Sequence, residues 1–200
     1  MQTFKPDTMV KQISIFLCLT AGMIFYSCQE EVHTPRPRGY FRIDVRDTTY
    51  QSLQGNYPYT FEYSKAAFVD SQKRNENYWI NLVYPELNSA LFITYRTVDD
   101  TNLNHLIDDS RIMVFKQIAK ADDILESHIV DSTNHLYGRI YEATGNDAAC
   151  PFQFWVTDRQ NHFFRASLYL NNVPQNDSLA PVIDHLKKDM FHLIETFNWK

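Results

Sequence analysis

Phe152–Leu170, FQFWVTDRQNHFFRASLYL, reads as two β-strands joined by a short turn, and the architecture follows from it. Phe152, Phe154 and Val156 alternate with Gln153, Trp155 and Thr157; Phe164, Ala166, Leu168 and Leu170 alternate with Phe163, Arg165, Ser167 and Tyr169. Successive side chains of a strand point to opposite faces, so one face of this pair is plain core. The other mixes Trp155, Arg165 and Tyr169, joined upstream by Arg139 and Tyr141, residue types enriched in interface hot spots. Sheets this apolar are usually covered on both sides, so a helix or an N-terminal tether over this second face is the competing reading.

Upstream, Ile124–Val130 and Leu136–Ala143 extend the pattern, with breaks at DSTN, GNDAACP and RQN. Before them Tyr59–Tyr63, Tyr78–Tyr84 and Ala90–Thr97 alternate large and polar residues between turn-rich segments. Two helices interrupt or close the series. From Thr101 to Ala119, Leu103, Leu106, Ile107, Val114 and Ile118 share one helical face that Ile112, Met113 and Phe115 widen, so this helix is expected to pack on the sheet. From Asn176 to Phe197 helical spacing returns, with N-cap oxygens from Asn176-Asp177-Ser178 and Pro181 in the first turn. The order βββαββββα predicts a single α+β domain with a largely antiparallel sheet packed by two helices. That order is similar to the PsbP/Mog1-like fold, a likeness of shape that carries no function.

Composition excludes several functions. The formal charge of the chain is −5, without the basic footprint of a nucleic-acid binder. No G-x-G-x-x-G or P-loop pattern is present, so nucleotide chemistry is not expected. His185, Asp189 and His192 recur on the last helix, but the apolar positions there predict that this face looks to solvent, and no metal or other cofactor is expected. Asp108-Asp109 and Asp122-Asp123 read as solvated charge, and no G-x-S-x-G elbow supports a catalytic serine. The domain is therefore expected to be non-catalytic. The connection Gly145–Cys150 is longer than a hairpin needs. Its Asn146 and Asp147, with Trp155, Arg165 and Tyr169, form the candidate partner-binding set, although Gly-Asn is also ordinary turn chemistry. Cys150 is expected to be a small buried residue without a chemical role.

The N-terminus gives an address. Lys5 and Lys11 precede an apolar run from Ile13 to Tyr26, and Ser27 precedes Cys28. The run is shorter than the roughly 20 residues that span a bilayer, and the ensemble reads as a secretion signal. Phe25-Tyr26-Ser27-Cys28 resembles a loose bacterial lipobox, which implies cleavage after residue 27 and lipid anchoring through Cys28. Residues 28–39, with QEEVHTPRPRG after the cysteine, read as a tether, and 40–200 as the globular domain. Glu30 and Glu31 resemble a surface-export signal of Bacteroidetes lipoproteins; tether charge is the plainer reading, so the periplasmic and surface sides both stay open.

Several blocks together carry a family resemblance. GYFRID (39–44), YPYTFEY (57–63), YWINLVYP (78–85), DDSR (108–111), IAKAD (118–122), YGRIYEATGNDAACPFQFWVTD (137–158), HFFRASLYLN (162–171) and DSLAPVIDHLKKDMFHLIETFNWK (177–200) resemble the GldD family of gliding motility lipoproteins. The block at His162 continues with Ala166, where the family has a small residue and often glycine. The resemblance implies a cell-envelope lipoprotein of Bacteroidetes needed for gliding and the associated type IX secretion. It further implies that its partners are other proteins of that machinery, and that it has neither enzymatic activity nor a cofactor. A lipoprotein binding a glycan or other small ligand on the aromatic sheet face is the alternative from another class.

Overall fold

The computed structural model describes residues 49–71, 78–99, 101–116, 120–171 and 176–200. The expected signal peptide, Cys28 and the tether lie outside the described residues. Along the chain run β1 (Tyr50–Ser52), β2 (Tyr59–Thr60), β3 (Glu62–Ser64), β4 (Phe68–Asp70), β5 (Ile80–Tyr84), a 3-10 turn, β6 (Ser89–Thr97) and α1 (Leu103–Phe115). Then follow β7 (Asp123–Asp131), β8 (Leu136–Thr144), β9 (Phe152–Thr157), β10 (His162–Leu170), α2 (Asn176–Glu195) and β11 (Asn198–Trp199). Seven strands form one sheet in the order β4-β5-β6-β10-β9-β8-β7, antiparallel at every step. This is the α+β domain that the alternation predicts.

The differences are at the short elements. The run Tyr59–Tyr63 is two strands, because it changes partner at Phe61: β2 pairs with β11, and β3 with β1. Strands of two or three residues contain too little alternation to read, so β1, β4 and β11 escape sequence patterning. Tyr78, expected in a strand, instead has a left-handed φ of 60°, and its carbonyl accepts the Tyr59 hydroxyl at 2.5 Å.

The inner face of the sheet carries the main core. Leu82, Leu91, Ile93, Phe154, Phe164 and Leu168 meet Val182, Leu186, Met190 and Leu193 of α2, together with Tyr59, Phe61 and Phe197. Phe164 lies at its centre, with ring centroids 4.9 Å from Tyr59 and 5.0 Å from Phe197. Each such side chain contributes about 1.5–3 kcal/mol on burial. Ala166 is fully buried opposite Phe154 and Ile93, which explains a small residue there. Gly138 answers to a closer approach: a Cβ at this position would lie 2.0 Å from the Trp155 carbonyl oxygen.

Two expectations about α2 are corrected. The helix starts at Asn176, so Pro181 stands inside it, beyond the first turn. Its start is held from another segment: the Asn146 carbonyl accepts the Asn176 amide at 3.1 Å, and Asn146 Oδ1 accepts the Asp177 amide at 3.3 Å. Asn176 donates its own side-chain amide to the carbonyls of Gly145 and Ala148, at 2.8 and 2.9 Å. The face of His185, Asp189 and His192 is not turned to solvent, because Asp189 is only 1% exposed. Residue 189 follows Leu186 by three and precedes Leu193 by four, which places it on the same apolar stripe. Tyr50 donates its hydroxyl to Asp189 at 3.2 Å, and burial followed by the Asp189 charge holds the Tyr84 hydroxyl well above its ordinary pKa. His192 stacks on Tyr50 at 3.6 Å and meets Glu62 at 2.9 Å.

Candidate functional site

The outer face of the sheet has two halves. Over β8, β9 and the start of β10 it is covered: Tyr141, Trp155 and Phe163 form a second cluster with Val98 and with Leu103, Leu106, Ile107 and Val114 of α1. Of the stripe expected to pack, Leu103, Leu106, Ile107 and Val114 do so and Ile118 lies outside the described residues, while Ile112, Met113 and Phe115 do not widen it and stay exposed. Trp155 is therefore buried, stacked on Phe163 at 5.6 Å, and is not presented as surface. Arg139, also on this face, pairs with Glu126 across β7 and β8.

Beyond α1 the face is open. Phe92, Thr94, Arg165, Ser167, Tyr169, Leu170 and Asn171 line a depression of about 520 Å³. A second depression of about 210 Å³ shares Phe92 and Thr94 and continues to Asp70, Trp79 and Asn81. Strand pairing produces this arrangement: Arg165 lies opposite Thr94, Ser167 opposite Phe92, and Phe92 opposite Asn81. Phe92 and Trp79 are 41% and 40% exposed. Tyr169 meets the Phe92 ring edge to face at 5.5 Å, and the Arg96 guanidinium lies 5.0 Å from the Trp79 ring centre. Trp79 is fixed by its indole N–H, which donates to the Tyr95 carbonyl at 2.9 Å.

Arg165 has a specific setting. It donates to Gln153 Oε1 at 3.4 Å, and Met113 Sδ of α1 lies against the other guanidinium nitrogen. Ser167 donates to the same Gln153 oxygen at 3.3 Å. Among the described residues no carboxylate lies within ion-pair distance of Arg165. Burial lowers its pKa from the ordinary value, against opposing contributions from Tyr169, Cys150 and Asp109. The Tyr169 hydroxyl is raised, first by burial and then by Cys150. A partly desolvated cation beside exposed rings is suited to a carboxylate or carbonyl group on a partner.

The structure thus brings Arg165 and Tyr169 together on one open surface. Asn146 and Asp147 are both exposed, but Asn146 is engaged in capping α2, which accounts for the length of that loop. Cys150 is buried, and its Sγ lies 3.6 Å from the Phe152 carbonyl. Phe92, Trp79, Asn81 and Thr94 are the site residues that the sequence reading missed. The signal for Phe92 and Thr94 was available in ALFITYRT, where they and Arg96 alternate with Leu91, Ile93 and Tyr95, and that for Trp79 and Asn81 in YWINLVY, where they alternate with Ile80 and Leu82. No group of three or more His, Cys, Asp or Glu residues able to hold a metal occurs among the described residues. Nor is any helix among them long and apolar enough to cross a membrane.

None of the curated proteins matches the chain. Among solved structures it is similar to the solution structure of cyanobacterial PsbP (CyanoP) from Synechocystis sp. PCC 6803, at 14% identity and a TM-score of 0.44, over 80% of this chain and 98% of that one. A family model described as gliding motility lipoprotein GldD matches residues 30–199, which contain both the covered and the open half of the outer face. The chain belongs to the GldD family of gliding motility lipoproteins.

Proposed function

We infer that this lipoprotein is a non-catalytic assembly or stabilising component of the gliding machinery and of the type IX secretion associated with it. In this reading it is anchored to the outer membrane through Cys28, and other proteins of that machinery dock on the open half of its outer sheet face. The observation that supports docking is the half-buried Arg165, without a carboxylate partner among the described residues, beside the exposed ring of Phe92 and the half-buried ring of Tyr169. Aromatic residues and arginine are the types that carry most interface energy. A photo-crosslinking residue in place of Phe92 is expected to capture a discrete protein in cells. Arg165→Ala and Tyr169→Ala are each expected to reduce that adduct and to impair motility and secretion at normal protein levels. Full motility and secretion in both variants would overturn the reading. For the anchor, Cys28→Ala is expected to abolish fatty-acid labelling, and retained labelling would rule out that attachment.

A glycan or other small ligand remains the second reading, favoured by exposed Trp79 and Phe92 with Asn81 and Thr94 between them. Rings flanked by a few polar groups are a usual form of small-ligand site. Quenching of Trp79 fluorescence by soluble oligosaccharides, lost in Asn81→Ala, would support it over protein docking.

A further inference from the structure

The two edges of the large sheet differ. At one end β4 is three residues long, whereas at the other β7 runs nine residues, Asp123–Asp131, in unbroken register with β8. Among the described residues β7 has a neighbour on one side only. It contains no Lys, Pro or bulge, three of the devices that blunt an edge, and its charged residues are Asp123, Glu126 and Asp131. Leu125 and Val130 on it are 57% and 69% exposed. A free edge of this length and polarity is a template for another strand.

The sequence of β7, DILESHIVD, is nearly palindromic about Ser127. We propose that β7 pairs antiparallel with β7 of a second copy of this chain, about a two-fold axis through Ser127. In that register Leu125 faces Ile129, Ile124 faces Val130, and Glu126 faces His128, each pair formed twice. Every facing pair lies on the same side of the sheet, since the paired positions differ by an even number of residues. Exposed Leu125 and Val130 gain apolar neighbours, and the acid faces the imidazole, so hydrophobic and polar patterns are both self-complementary, as a two-fold interface requires. Asp123 and Asp131 would face each other at the ends, and like charges there confine the ladder to Ile124–Val130. Asp131 is already engaged by the amides of Thr133 and Asn134 in the following turn. The axis is normal to the sheet, so both copies of α1 lie on one side and both copies of α2 on the other.

The test uses the full-length protein in cells. At the axis the two Ser127 Cα atoms would lie about 4.5–5.5 Å apart, within the roughly 4.4–6.8 Å range of a disulfide. Ser127→Cys is expected to give a homodimer on non-reducing gels. Leu125→Cys alone is expected to give none, because Leu125 faces Ile129. Adding Val130→Lys to Ser127→Cys, at an exposed position that leaves the melting temperature unchanged, is expected to reduce the dimer at least tenfold. Two differently tagged full-length copies should also co-purify from detergent without any introduced cysteine, and lose this with Leu125→Lys. Absence of the Ser127→Cys dimer in a folded protein at normal levels would overturn the proposal. So would equal crosslinking through Leu125→Cys, or crosslinking to a different protein.

Discussion

The inner and outer faces of the sheet are made from the same strands, and they follow different rules. On the inner face the alternate residues along the middle of β5, β6, β9 and β10 are buried among α2 and the short strands. On the outer face burial depends on position across the sheet, with Trp155 and Phe163 under α1 but Phe92 in the open. Apolar alternation along a strand therefore tells which face a residue is on, while the placement of the one covering helix tells whether that face is buried. The covered half is built for stability and the open half presents rings and a cation.

The sharpest way to break this contrast is at the centre of the inner face. Phe164→Ala removes a ring packed by Tyr59, Phe154 and Phe197 and is expected to cost about 3–5 kcal/mol, measured by urea unfolding. A loss under about 1 kcal/mol would show that the inner core is not the main source of stability. Gly138→Ala tests the seam between β8 and β9. Its Cβ would collide with backbone, which cannot turn away as a side chain can, so a loss of about 1–3 kcal/mol is expected.

A smaller effect comes from the turn that joins β9 to β10 and so sets both faces in register. Asp158 Oδ1 accepts the amides of Gln160, Asn161 and His162 at 3.0, 2.9 and 2.8 Å. Burial opposes its ionisation, but these amides and the charge of His162 outweigh burial, and its pKa is held below the ordinary 3.8. A carboxyl with a depressed folded pKa stabilises the fold above its unfolded pKa and loses that contribution as pH falls through the folded value. Asp158→Ala is expected to cost about 1 kcal/mol at pH 7. Unfolding curves taken from pH 5 down to pH 2 should bring variant and wild type together as the acid contribution vanishes. The smallest effect belongs to the open half: Phe92→Ser is expected to change stability by less than about 0.5 kcal/mol, while removing photo-crosslinks placed at Tyr169. A large loss of stability would mean that Phe92 is packed, and would erase the distinction between the halves.

The long elements were legible in the sequence because period and length are local properties: nine residues of β10 or twenty of α2 contain enough alternation to identify themselves. The assignment of Arg165 and Tyr169 to one non-core face was legible for the same reason, and the family followed from blocks of residues in order. Other features depend on neighbours distant in the chain. The inward turn of Asp189 is possible because Tyr50, from a strand too short to read, meets it. The capping role of Asn146 requires α2 to begin beside a loop some thirty residues earlier in sequence. The burial of Trp155, the exposure of Phe92 and the joining of Trp79 to Tyr169 across three strands follow from where α1 lies and from the strand order. Periodicity fixes the direction of a side chain relative to its own backbone, but burial depends on what packs against it, and that is set by contacts between segments far apart in the chain.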